Sequence, residues 1–499
     1  MNPPPRSVVI LGGGTAGWMT ANLLHRRWAE HGTEVSLIES SALGIIGVGE
    51  GSTPQLKAFF DTLGITEAEW MPRCNATYKA GIEFSGWSDK PGYERYFHPF
   101  PTDLDHFTQG QFFYSTRARR SGRDVPAHPD PFFIQTRIAR EGRAPLAPAN
   151  FPFAVSYGYH FDAHLIGAFL REFGTARGIR HIDTRIVSVE LDQTGDVKAL
   201  IGEDGRRFDG DFFIDASGFR AAIIEGALKE PHREFAENLF NDRAVVAPTP
   251  LPEPGIQACT RSIAKSAGWI WNIPLTNRVG NGYVYSSRYI DPEAAAAELR
   301  EHLGLGEEAE VRHLQMKCGR IERSWVRNCL AVGLAQGFLE PLEATALHIV
   351  ISTVESFLSA WDEDKRDEFN MAIARRYEGI RDYLVCHYRT AQRRDTDYWR
   401  DATGNHALSD SLKGVITAWF TASDLEQEVL RQEIAGYYPP MSWHCMLAGY
   451  GNFPEQEKLR PPGPDVAPID MAEVERFIGG CAMNFPPLSD ALAHLKEAA

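Results

Sequence analysis

"SVVILGGGTAGWMTANLLHRRW", residues 7–28, is an apolar run, a glycine turn, and then apolar residues at helical spacing. Gly12, Gly14 and Gly17 fit G-x-G-x-x-G, with Thr15 and Ala16 between them opening the helix. Glycines there let the chain turn tightly and bring the N–H groups of the helix start against a pyrophosphate. "EVSLIES" at 34–40 reads as a second buried strand, and Glu39 near its end lies about 20 residues past Gly17, where a carboxylate can accept hydrogen bonds from a ribose. Together these predict a Rossmann-type dinucleotide-binding core.

Composition bounds the rest. A chain of 499 residues can bury a large core and build two or three lobes. The net charge of −15 and the lack of a basic stripe argue against a nucleic-acid partner. No apolar run reaches membrane-spanning length, so no membrane association is expected. Seven cysteines without a C-x-x-C pair read as reduced thiols in a cytoplasmic protein, with no metal site.

Two downstream stretches extend the core. Residues 185–220 alternate like antiparallel strands joined by Thr-Gly and Asp-Gly turns, then close on "FFIDASGF". That ending resembles the returning strand of two-domain flavoproteins. Residues 328–361 repeat strand, glycine turn and helix, and Leu347, Val350, Ile351, Val354, Phe357 and Trp361 recur at helical spacing as a core face. Many flavoproteins place Gly-Asp in this segment; here Gly333 is followed by Leu334, so that contact to the flavin chain has to come from elsewhere. Past about residue 340 the sequence is mainly helical. The predicted fold is α/β plus α: a discontinuous FAD-binding module over 1–340 with an inserted antiparallel sheet, and a mostly helical lobe over 341–499 covering the substrate site.

"GWIWNIP" at 268–274 puts Trp269 and Trp271 on one face of a strand. Alone, such a pair is core packing. With "TYKAGIEFSGW" (77–87), "GVGEGSTP" (47–54), "YFHPF" (96–100) and "FLEPLEATAL" (338–347) in order, the chain resembles the flavin-dependent tryptophan and indole halogenases over nearly its whole length. "GYHFDAHLIGAFL" (158–170) and "CHYRTAQRRDTDYWR" (386–400) resemble helices of that family. The resemblance implies FAD, used as FADH2 from a separate flavin reductase, with O2 and a bromide or chloride ion as co-substrates. It implies that halide is oxidised to hypohalous acid, which passes through a tunnel to a separate substrate site.

Residue by residue, the essential lysine falls on Lys79 and the active-site glutamate on Glu343, the strap across the flavin includes Gly49 and Glu50, and the indole clamp falls on His98 and Phe100. Trp269 and Trp271 would exclude the substrate from the flavin. As an ammonium Lys79 would polarise hypohalous acid; as an amine it could form a haloamine. Glu343 could stabilise the cationic ring intermediate or take its proton, and Pro341 and Glu343 also suit the first turn of a helix. Halide would bind at Thr345 and Ala346. Family members commonly carry Ser and Gly where this chain has Ala344 and Ala346, so a larger, weakly hydrated anion would suffer less, and bromide is expected to outperform chloride.

"GYYPPMSWHCMLAGYG" (436–451) supplies Tyr437, Tyr438 and Trp443 for substrate contact but no carboxylate for an amino-acid ammonium, and its two prolines are expected to stiffen a lid loop. The expected substrate is a small aromatic, an indole other than free tryptophan. Two alternatives stay open at this point: a flavin-dependent aromatic monooxygenase, and a catalytically inactive flavin-binding protein. A substrate tethered to a carrier is a further option, and a homodimer is compatible with the sequence.

Overall fold

The computed structural model describes residues 2–43, 49–253, 255–463 and 469–498. Residues 47 and 48 of the expected strap lie outside them. Among the described residues, the nucleotide core is a six-stranded sheet in the order Trp325–Val326, Cys329–Ala331, Phe212–Asp215, Ser7–Leu11, Glu34–Glu39, Arg180–Asp183, with all but the first pairing parallel. The strand Ser7–Leu11 lies central, as an unbroken apolar run should. The returning strand Phe212–Asp215 pairs directly with it, Val8 opposite Phe212. The strands Ile186–Leu191, Val197–Gly202 and Arg207–Asp209 form the expected antiparallel insert.

A second sheet of seven strands carries the tryptophan strand Gly268–Pro274 between Cys259–Lys265 and Val279–Tyr285. Its far edge is Gly81–Ser85 and Arg95–Pro99. Despite the prolines that follow it, Ala247 continues in extended backbone: Ala247–Thr249 complete the strand Arg243–Thr249. Pro248 is tolerated because the neighbour Arg312–Gln315 pairs only as far as Val246, leaving no partner there for the missing N–H. A small three-stranded sheet, Gly49–Gly51, Gly158–Asp162 and Thr77–Lys79, joins the two large ones. "GYHFDAHLIGAFL" therefore enters as strand and turns helical only at Ala163, capped by Asp162.

From Ala346 onward the described elements are helical, led by Ala346–Glu363 and Arg366–Thr390. Phe357 packs against Trp28 and Trp325, so the first of these helices is anchored on the nucleotide core. The prolines at 439–440 do not stiffen a loop. Pro439 caps and Pro440 starts the helix Pro440–Gly449, because proline's fixed φ and absent N–H suit a first helical position. Among the described residues, no helix is long and apolar enough to cross a membrane.

Candidate active site

The glycine loop is built for close approach. A Cβ on Gly12 would sit 2.1 Å from the Ala216 carbonyl oxygen, and one on Gly17 1.9 Å from the Gly12 oxygen. Gly14 caps the helix Thr15–Trp28 without any side chain, and space beside it is open. The N–H groups of that first turn can therefore reach an anion. Glu39 lies over Gly13, its Oε2 1.8 Å from where a Cβ would be, and pairs with His181 at 2.8 Å. Gly333, at φ +61°, abuts the same loop, for a Cβ there would lie 2.7 Å from Ala16. Leu334 follows in a tight 3-10 turn, Gly333–Ala335. These residues fit the diphosphate and ribose of FAD.

The strand Gly49–Gly51, within the expected strap, lies against the tryptophan strand: a Cβ on Gly49 would touch Ile273 at 3.4 Å. Loss of solvent, helped by the charge of Asp162, pushes the Glu50 carboxyl up to about 7. Trp269 and Trp271 are both buried, with ring centroids 6.3 Å apart. Gly282 on the neighbouring strand makes room for Trp271, whose ring lies 2.1 Å from the position of a Cβ there. The Trp269 indole N–H donates to Glu340 Oε2 at 3.1 Å.

Lys79 ends the strand Thr77–Lys79 and is fully buried. Its Nζ has no hydrogen-bond partner among the described residues and lies 5.4 Å from the Phe100 ring centroid. Burial lowers its pKa to about 8, although the Glu343 carboxylate works in the opposite direction. Phe100 also closes on Gly158, where a Cβ would come within 3.2 Å of its ring.

Glu343 does not start the long helix. It ends a 3-10 turn, Pro341–Glu343, because Ala344 turns left-handed at φ +55° before Thr345 caps the helix Ala346–Glu363. Its carboxylate accepts from His98 Nδ1 at 3.1 Å and from His387 Nε2 at 2.9 Å. Burial would push the carboxyl up, but the two imidazoles prevail and hold it down at about 2. Such a group is a carboxylate at any working pH and a poor proton acceptor. Of its two predicted roles, charge stabilisation suits the environment. His98 is thereby committed first to Glu343, and its Nε2 meets the Ser442 hydroxyl at 2.9 Å. The Thr345 side chain caps nothing, and Ala346 is exposed at the helix start.

Tyr438 and Trp443 are buried around Tyr383: Tyr438 stacks on it at 3.6 Å and Trp443 meets it edge-on at 4.8 Å. They form a packed wall, not a lid. Tyr437 points elsewhere, against Gly379. His387, Ser442, Glu340, His160 and Thr260 went unassigned in the sequence. His387 and His160 stand inside segments matched to the family, yet nothing in their spacing shows what their rings touch.

The family model described as tryptophan halogenase matches residues 7–461. The 7-chloro-L-tryptophan 6-halogenase of Kutzneria sp. (strain 744) is 37% identical, over 89% of this chain and 90% of its own. The tryptophan 6-halogenase of Streptomyces toxytricini is 35% identical, over 95% and 93%. Among solved structures, a flavin-dependent halogenase from Xanthomonas campestris superposes with a TM-score of 0.84 at 34% identity, covering 98% of both chains.

Proposed function

The chain belongs to the tryptophan halogenase family and is a flavin-dependent halogenase, and from that premise we propose that it halogenates the ring of an indole other than free tryptophan at Lys79. The observation that carries this reading is the buried Lys79 ammonium with no hydrogen-bond partner among the described residues, facing Phe100 and balanced by a carboxylate clamped between two histidines. When bound, reduced FAD would supply, with O2 and halide, the oxidised halogen as hypohalous acid. Gly12 to Gly17, Glu39 and Gly333 would hold the cofactor, and Gly49 and Glu50 would lie along it.

Trp269 and Trp271 are too large and too well packed to let an aromatic substrate cross to the cofactor, while a triatomic acid can pass. Lys79 donates to the oxygen of that acid, which makes its halogen more electrophilic. Glu343 then offsets the positive charge that develops on the ring. Phe100 and the Tyr438–Trp443 wall bind the indole faces, with His98 at the edge between wall and carboxylate.

The substrate reading is supported by the charge of the wall. Among residues 437–449 the one ionisable group besides tyrosine and cysteine is His444, and it is turned away onto Glu426. Nothing there would pair with an amino-acid ammonium. The relatives named above act on tryptophan or a chlorinated tryptophan, so the two substrates need direct competition. Bromide is proposed to be used better than chloride, because Ala344 lacks the hydroxyl of a serine and Ala346 adds a methyl group at the helix start.

The test is mass spectrometry of products from equimolar indole and tryptophan with the chain, FAD, NADH, a flavin reductase, O2 and bromide, then chloride. Brominated indole in excess, lost in Lys79→Ala, supports the proposal. Halogenated tryptophan in excess removes the substrate reading, and a hydroxylated product removes halogenation at Lys79. Equal turnover of both halides removes the bromide preference.

A further inference from the structure

Beside Lys79 lies a hydrogen-bond chain that the roles above do not use. Thr77, His160 and Thr260 are all buried, and they come from three strands: Thr77–Lys79, Gly158–Asp162 and Cys259–Lys265. The Thr77 hydroxyl lies 2.7 Å from the Pro274 carbonyl oxygen, which can only accept, so the one hydroxyl proton of Thr77 points there. His160 Nδ1 is 3.0 Å from the same Thr77 oxygen. With that proton spent, Nδ1 must be the donor. Burial and the neighbouring Lys79 lower the His160 pKa well below its usual value, so the ring is neutral and Nε2 is bare. Nε2 lies 2.9 Å from Thr260 Oγ1 and therefore accepts its proton.

The Thr260 oxygen is left with lone pairs and no proton to offer. That oxygen and the Lys79 ammonium both lie over the backbone of Gly51. The point a Cβ on Gly51 would occupy is 3.3 Å from Thr260 Oγ1 and 3.2 Å from Lys79 Nζ, and the two groups do not bond each other. A donor-only cation and an acceptor-only oxygen thus converge on Gly51 without bonding each other. Hypohalous acid offers one O–H to donate and one oxygen to accept. Both needs are met there at once.

We propose that Thr260 is a further binding residue for hypohalous acid, accepting its O–H while Lys79 donates to its oxygen, and that His160 and Thr77 are positioning residues that fix the direction of the Thr260 hydroxyl. The inference rests on Lys79 as the delivery point. Two bonds to the oxygen leave the halogen as the free end of the molecule, so the chain orients the reagent as well as retaining it.

The test is a partition. Thr260→Val keeps the shape and removes the hydroxyl; Thr260→Ser keeps the hydroxyl. Each is run with FAD, reductase, bromide and indole beside a diffusible β-diketone that traps escaped oxidant. Losing one hydrogen bond of about 1–1.5 kcal/mol predicts roughly a tenfold drop in brominated indole per trapped oxidant for Thr260→Val, at unchanged total, and little change for Thr260→Ser. A wild-type ratio in Thr260→Val, or an equal drop in Thr260→Ser, overturns the proposal. A second readout needs neither flavin nor halide: 15N shifts of His160 in the flavin-free protein, assigned against His160→Asn. They should report an Nδ1–H tautomer, with Thr77→Val relaxing it; an Nε2–H tautomer in the wild type overturns the proposal. If the wild type brominates neither indole nor tryptophan yet shows Nδ1–H, the delivery reading at Lys79 fails and the proposal falls with it, while the hydrogen-bond chain itself stands.

Discussion

Glu340 and Glu343 sit three residues apart on the same turn, both buried, and their surroundings drive them in opposite directions. Glu343 is held by two imidazoles and stays charged, its pKa about 2. Glu340 takes three neutral or weakly acidic donors, Trp269, Asn241 and Tyr388, all on Oε2. Its Oε1 has no partner among the described residues, and burial raises its pKa despite those bonds. Identical side chains in near-identical burial differ because only one of them is offered groups that can carry charge. One becomes a permanent negative charge near Lys79. The other becomes a fastener for the tryptophan strand.

That comparison can be broken most sharply at the charged member. Glu343→Gln should cut halogenation by about 10²–10³-fold, as loss of an electrostatic partner does, with flavin still bound. If Glu340→Gln costs more activity than Glu343→Gln, the two roles are exchanged. Glu340→Ala should act on stability first: three stranded donors at about 1–3 kcal/mol each predict a fall in Tm of many degrees, read by calorimetry. Glu340→Gln retains an acceptor and should lose far less.

The pH dependence separates the charges themselves. Lys79 titrates near pH 8 when folded and near 10.5 when unfolded, so the unfolded chain binds more protons between those values. Stability from this group therefore rises from pH 8 to 10.5, while capture of oxidant by indole should fall through pH 8 as the ammonium is lost. Glu343 is shifted in the same direction, lower in the folded chain, but there the charged form is the favoured one. Its stabilisation is present above its unfolded pKa of 4.5 and disappears as pH falls toward 2, which chemical denaturation at stepped pH will show. The mildest expected change is Ser442→Ala, which removes only the outer bond of His98 and should shift product yield by about threefold, within the worth of one hydrogen bond.

Most of the frame was legible in the chain. Gly12, Gly17 and Gly333 are positions where backbone or another loop approaches too closely for a side chain, and such constraints write themselves into sequence. The tryptophan strand was legible because two-residue alternation fixes which rings share a face. The wall was misread: prolines 439 and 440 break structure in a loop but start it at a helix N-terminus, and the letters are the same in both cases. Glu343 was misplaced by one turn because Ala344, an unexpected residue for φ +55°, interrupts the helix before it begins. His160, Thr260 and His387 could not be read at all. Their roles are set by partners up to 100 residues away, and hydrogen-bond direction has no sequence period.

His98 joins Glu343 to Ser442, so one imidazole serves both the carboxylate and the helix Pro440–Gly449, proposed above as the substrate wall. The consequence is evolutionary. Substitutions selected in the wall for a new aromatic will alter the setting of the charge, and their effects will not add to those of changes around Glu343. Searches for altered substrate range should therefore vary positions 98, 343 and 442 together, since the path through single changes crosses states in which one partner has moved and the other has not.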